Sequence, residues 1–72
     1  MIQSLTFNTK EKTIVLTDGP RGTSTILEEK SNVSTVRVEN GYYEVMQRPD
    51  EISHALPVMR LPMANTNMFI VS

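Results

Sequence analysis

Val36-Arg37-Val38-Glu39-Asn40-Gly41-Tyr42-Tyr43-Glu44-Val45 is the stretch whose reading decides the fold class. A two-residue hairpin connection of type I′ needs positive φ at both central positions, and Asn-Gly tolerates this best. Counting outward from Asn40-Gly41 pairs Glu39 with Tyr42, Val38 with Tyr43, Arg37 with Glu44 and Val36 with Val45. Side chains alternate across a strand, so Val36, Val38, Tyr43 and Val45 form one apolar face. Arg37 meets Glu44 on the other, an opposite-charge cross-strand pair. Turn chemistry, alternation and charge all give one register.

On the N-terminal side, Leu5 and Phe7 alternate with Ser4 and Thr6, which reads as a half-buried strand over residues 2–8. Asn8-Thr9-Lys10-Glu11 supplies a polar reversal. A second strand over 12–17 puts Ile14 and Leu16 on one face and Thr13, Val15 and Thr17 on the other. It stops at Asp18-Gly19-Pro20-Arg21-Gly22, the strongest turn cluster in the chain. Residues 23–28 resume extended character, and 29–32 are a polar connection.

On the C-terminal side, Arg48-Pro49-Asp50-Glu51 ends the hairpin, and residues 51–55 have room for at most one helical turn, because Pro57 disfavours helix at Leu56. Residues 58–61 read as a short strand bracketed by Pro57 and Pro62. The two prolines differ in parity, so a regular ladder cannot turn both donor-less nitrogens outward, and an edge position is expected. Asn65-Thr66-Asn67 reads as a turn, and 68–71 as an apolar strand of the kind that is usually covered. Six to seven short strands without sustained 3.6-residue periodicity predict an all-β fold for a single domain over 1–72: a small antiparallel sandwich or a partly open barrel.

Composition supports this. Eight threonines, seven valines and five isoleucines stand against two alanines, and β-branched residues suit a pleated surface. A domain of 72 residues buries only about 60% of the surface its unfolded chain exposes. With no cysteine for disulfides and one histidine for any metal site, self-association is the supplement within reach, and a homo-oligomer is expected. A net charge of −1 with scattered charges argues against duplex nucleic acid as a partner. The absence of a signal-peptide layout and of an apolar run near ~20 residues leads to the expectation of a soluble, cytoplasmic protein with no membrane partner.

Few residues suggest chemistry. His54 is the only histidine, and its completion by Asp50 or Glu51 as a base or metal ligand is weaker than its reading as an exposed loop residue. Catalytic residues, metal and cofactor are therefore expected to be none. Gly19, Arg21, Gly22, Thr23 and Ser24 make a candidate phosphate loop, since glycines free backbone amides for an anion, Arg21 offers a guanidinium fork and hydroxyls follow. Tyr42 and Arg37 are candidates to complete it, Tyr42 because alternation sends it to the face carrying Arg37 and Glu44. The loop lacks the lysine and spacing of a nucleotide-binding P-loop.

Five methionines in 72 residues, four of them in the second half, point to an adaptable apolar surface. Met59, Leu61 and Met63 are expected to share a strand face and to form, with Met68, Phe69 and Val71, a subunit or partner interface. The functional expectation is a small non-enzymatic module that self-associates and acts stoichiometrically on a macromolecular partner, as accessory or inhibitory proteins of the viral type do. The alternative is an oligomer that sequesters a small phosphorylated ligand, such as a nucleotide or cyclic nucleotide, between subunits.

Overall fold

The alternating segments form seven strands in the computed structural model, which describes residues 2–20 and 25–72. They are β1 (Gln3–Asn8), β2 (Thr13–Asp18), β3 (Ile26–Lys30), β4 (Val33–Glu39), β5 (Tyr42–Gln47), β6 (Leu56–Pro62) and β7 (Thr66–Val71). One sheet has the order β3-β2-β1-β7 and the other β4-β5-β6. The all-β expectation holds. The helical turn expected near 51–55 is instead a run of bends, and the one 3₁₀ turn among the described residues is Met63–Asn65. No helix there is long and apolar enough to cross a membrane.

Within each sheet, strands consecutive in the chain run antiparallel as expected, β1 with β2, β2 with β3, β4 with β5 and β5 with β6. β7 completes the larger sheet by lying parallel to β1, Leu5 opposite Met68 and Phe7 opposite Ile70.

Each local element follows from its residues. The Asn8 carboxamide oxygen accepts from the amides of Lys10 and Glu11 at 3.1 and 2.9 Å, forming the reversal between β1 and β2. Asn40 and Gly41 have φ of 50° and 78°, as a type I′ turn requires, and the β4–β5 register is the one counted from the sequence. The strand expected over 58–61 extends through both prolines and lies at a sheet edge.

The core forms where the sheets face each other. Leu5, Phe7, Ile14 and Leu16 come from the larger sheet, and Val33, Val45 and Leu61 from the smaller, with Val36, Tyr43, Met59 and Met68 packed around them. Among the described residues eight hydrophobic side chains are buried and twelve large ones are exposed, a small core for the conformational entropy that folding must offset.

Candidate functional site

Because Tyr43, Val45, Met59 and Leu61 point into the core, alternation turns Tyr42, Glu44 and Arg60 to the outer face of the three-stranded sheet. The ladder sets Arg37 opposite Glu44 and Glu44 opposite Arg60, with Glu39, Tyr42 and Pro62 in the next row. Both Nε and Nη2 of Arg37 lie 2.6 Å from Glu44 Oε1, and Nη2 lies 3.2 Å from Glu39 Oε2. Arg60 Nε is 3.7 Å from Glu44 Oε2, and the Arg60 guanidinium sits 4.3 Å from the centroid of the Tyr42 ring.

Glu44 is thus the hub. It is only 9% exposed although it lies on an outward face, because two arginine stems cover it. The hydrogen bond to its carboxylate, with the nearby charges of Glu44 and Glu39, raises the Arg37 pKa above the ordinary arginine value. Tyr42 remains 38% exposed with its ring oriented by Arg60. Two cations and two carboxylates balance, so the face presents a held aromatic ring in a neutral charged frame.

The candidate phosphate loop falls largely outside the described residues: Arg21, Gly22, Thr23 and Ser24 all do. Its base is described. Gly19, with φ of 99°, donates its N–H to the Ile2 carbonyl at 3.1 Å and accepts from Ser4 Oγ at 2.7 Å. Asn67 Nδ2 donates to the Pro20 carbonyl at 2.9 Å, and the Asp18 N–H to the Thr25 carbonyl at 2.9 Å. Ser4 and Asn67 alternate with core-facing Leu5 and Met68, so Gly19 and Pro20 lie over the outer face of the larger sheet. Arg37 and Tyr42 lie on the outer face of the other sheet. Within one copy the fold brings Arg37 and Tyr42 together and leaves Gly19 apart from them.

The candidate interface residues divide in the same way. The face shared by Met59 and Leu61 is the inner one, Leu61 being buried and Met59 packed against the core beside Met68. Met63 leaves the strand for the 3₁₀ turn and is exposed, as are Phe69 and Val71 on β7. The expectation that Met59, Leu61 and Met63 share one face is therefore corrected: Pro62 ends β6, and alternation ends with it.

His54 is exposed. The Asp50 carboxylate is occupied by the amides of Ile52 and Ser53, at 3.0 and 2.7 Å. Hydrogen bonds from Ser53 lead the causes that lower the Asp50 pKa, joined by the Ile52 amide and the charge of Arg48. Among the described residues no group of three or more His, Cys, Asp or Glu side chains is placed to hold a metal ion. A cleft of about 570 Å³ opens at the end of the sandwich away from the Asn40-Gly41 turn, between Lys12, Asn32–Ser34, Arg48, Asp50 and Glu51. Arg48 is tied to the carbonyls of Glu51 and Ser53, so the cleft lining is partly spent on holding its own loop.

Arg60 is the member of the site that the hairpin reading does not reach. Its signal is present in Pro62, two residues on: once Pro62 is placed opposite Tyr42, Arg60 falls opposite Glu44. Comparison of the chain with protein-family models, with curated proteins and with solved structures finds no match.

Proposed function

We propose that this chain is a non-enzymatic binding module that self-associates and acts stoichiometrically on a protein partner, docked on the outer face of the three-stranded sheet. The observation that carries this is Tyr42, exposed yet held by the Arg60 guanidinium 4.3 Å from its ring centroid. Tyr and Arg dominate the energetics of protein interfaces, and an aromatic anchor already oriented loses less freedom on binding. Self-association follows from the small core and the many exposed apolar side chains. The role is that of an accessory or inhibitory protein of the viral type, working in the cytoplasm.

Sequestration of a phosphorylated ligand draws less support from the described residues. The Gly19 and Asp18 amides both donate within the protein, and Arg37 is already engaged by two carboxylates. An anion would have to compete with both.

Affinity purification of the tagged chain from cells that carry it naturally, followed by reconstitution from purified components, tests the proposal. A partner that rebinds at fixed stoichiometry and is lost on Tyr42→Ala, with the melting temperature unchanged, supports it. Failure to reconstitute any complex, or one indifferent to Tyr42→Ala and Arg60→Ala, overturns it.

A further inference from the structure

Four strands end the two sheets, and three of them carry devices that discourage a further strand. β6 contains Pro57 and Pro62, Arg60 and an irregularity in its ladder with β5. β3 contains Glu28, Glu29 and Lys30 and is irregular opposite Leu16 and Thr17. β4 contains Arg37 and Glu39 and is irregular between Val33 and Thr35. β7 reads Thr-Asn-Met-Phe-Ile-Val, with no charge, no proline and no irregularity along its ladder with β1. An edge so unprotected is a template for another strand.

The open groups on that edge can be named. In a parallel ladder, alternate residues of a strand bond their neighbour with both backbone groups, while the residues between turn both away. The Thr9 amide donates to the Val71 carbonyl at 2.9 Å, so Asn67, Phe69 and Val71 face β1, and Thr66, Met68 and Ile70 face outward. The Thr66 amide bonds the Met63 carbonyl. The N–H and C=O groups of Met68 and Ile70 are left at the edge, beside Ile70 and Phe69 side chains that are 66% and 41% exposed.

We infer that β7 of one copy pairs antiparallel with β7 of a second copy across a two-fold axis at Phe69. This register sets Met68 opposite Ile70 of the second copy, and Ile70 opposite its Met68, so that the N–H and C=O of both residues are satisfied on each strand. Phe69 meets its own counterpart in a non-hydrogen-bonded pair, where Cα atoms approach to about 4.5 Å and aromatic side chains pack. A strand without charge opposes nothing repulsive to itself in a two-fold arrangement. The inference rests on the self-association proposed above and specifies its surface.

Sedimentation velocity from micromolar to submillimolar concentration, together with amide exchange, tests it. The expected result is a dimer lost on Phe69→Lys and on Ile70→Pro, which removes an outward N–H and leaves the β1 ladder intact. An equimolar mixture of Phe69→Lys and Phe69→Glu should regain the dimer, because the two charges face each other only in this register. Exchange needs no substitution: the Met68 and Ile70 amides should slow with rising concentration, while those of Phe69 and Val71 stay protected throughout. A monomer at every concentration overturns both the pairing and the self-association beneath it. A dimer in which the Met68 and Ile70 amides exchange freely overturns the pairing alone.

Discussion

Pro57 and Pro62 turn their nitrogens to the same side of β6 although an odd number of positions separates them. Pro62 faces Tyr42 and Pro57 faces Met46, because Val58 is an extra residue between the pairs Met46–Pro57 and Val45–Met59. The Met63 amide donates to the Gly41 carbonyl at 2.9 Å, which makes Pro62–Tyr42 a pair without ladder bonds. Met46 has the parity of Tyr42, so its backbone groups also face β4 and lose nothing to a proline. The parity conflict that a regular ladder would impose is removed by one bulge.

Deletion of Val58 should therefore be tolerated. It leaves a regular ladder with both prolines still outward, and the change in stability should stay within about 1 kcal/mol by urea denaturation. The matching deletion of Val15 in β2 makes Ile14 and Leu16 adjacent and drives one of them out of the core. That loss, on the order of 2–5 kcal/mol, is comparable to the whole stability of a domain this small.

Leu61 and Met63, two residues apart, should respond very unequally to truncation. Leu61 is 8% exposed within the core, and Leu61→Ala should cost about 2–5 kcal/mol. Met63 is 38% exposed in the 3₁₀ turn, and Met63→Ala should stay within about 0.5 kcal/mol. Urea midpoints of the two variants at one protein concentration check the contrast, and equal losses would place Met63 in the core.

The Asp50 turn carries a pH signature. Its carboxylate is held below the usual range by Ser53, the Ile52 amide and Arg48. A lowered folded-state pKa contributes stability that is present above the unfolded value, near ~3.9, and is lost as pH falls through the folded value. Wild type should exceed Asp50→Asn in urea midpoint at neutral pH, and the gap should close below about pH 4. A gap independent of pH would remove the carboxylate from the account.

What could be read from the residues themselves tracks how local the governing physics is. The Arg37–Glu44 pair and the entire β4–β5 register follow from Asn40-Gly41, since backbone handedness at two positions fixes every pair beyond them. The Ile14 and Leu16 face follows from alternation alone. Arg60 over Tyr42 lies beyond the hairpin, because it needs the β5–β6 register, and Pro62 signals that register only once it is placed opposite Tyr42. The inward turn of Met59 and Leu61 is not legible for a related reason: methionine suits a core gap and an interface equally, and only the position of the opposing sheet separates them.

The chain alone determined its strand-forming character, its hairpin and its turn at Asn8, all consequences of side-chain branching, period-two alternation and turn stereochemistry between near neighbours. Tertiary structure decided that β7 docks beside β1, that Gly19 is tied to Ile2 and Ser4 on the face opposite Tyr42, and that Glu44 is covered by two arginines. Those arrangements join residues up to 63 positions apart. They depend on which faces two sheets can bury against each other, a property that no segment holds by itself.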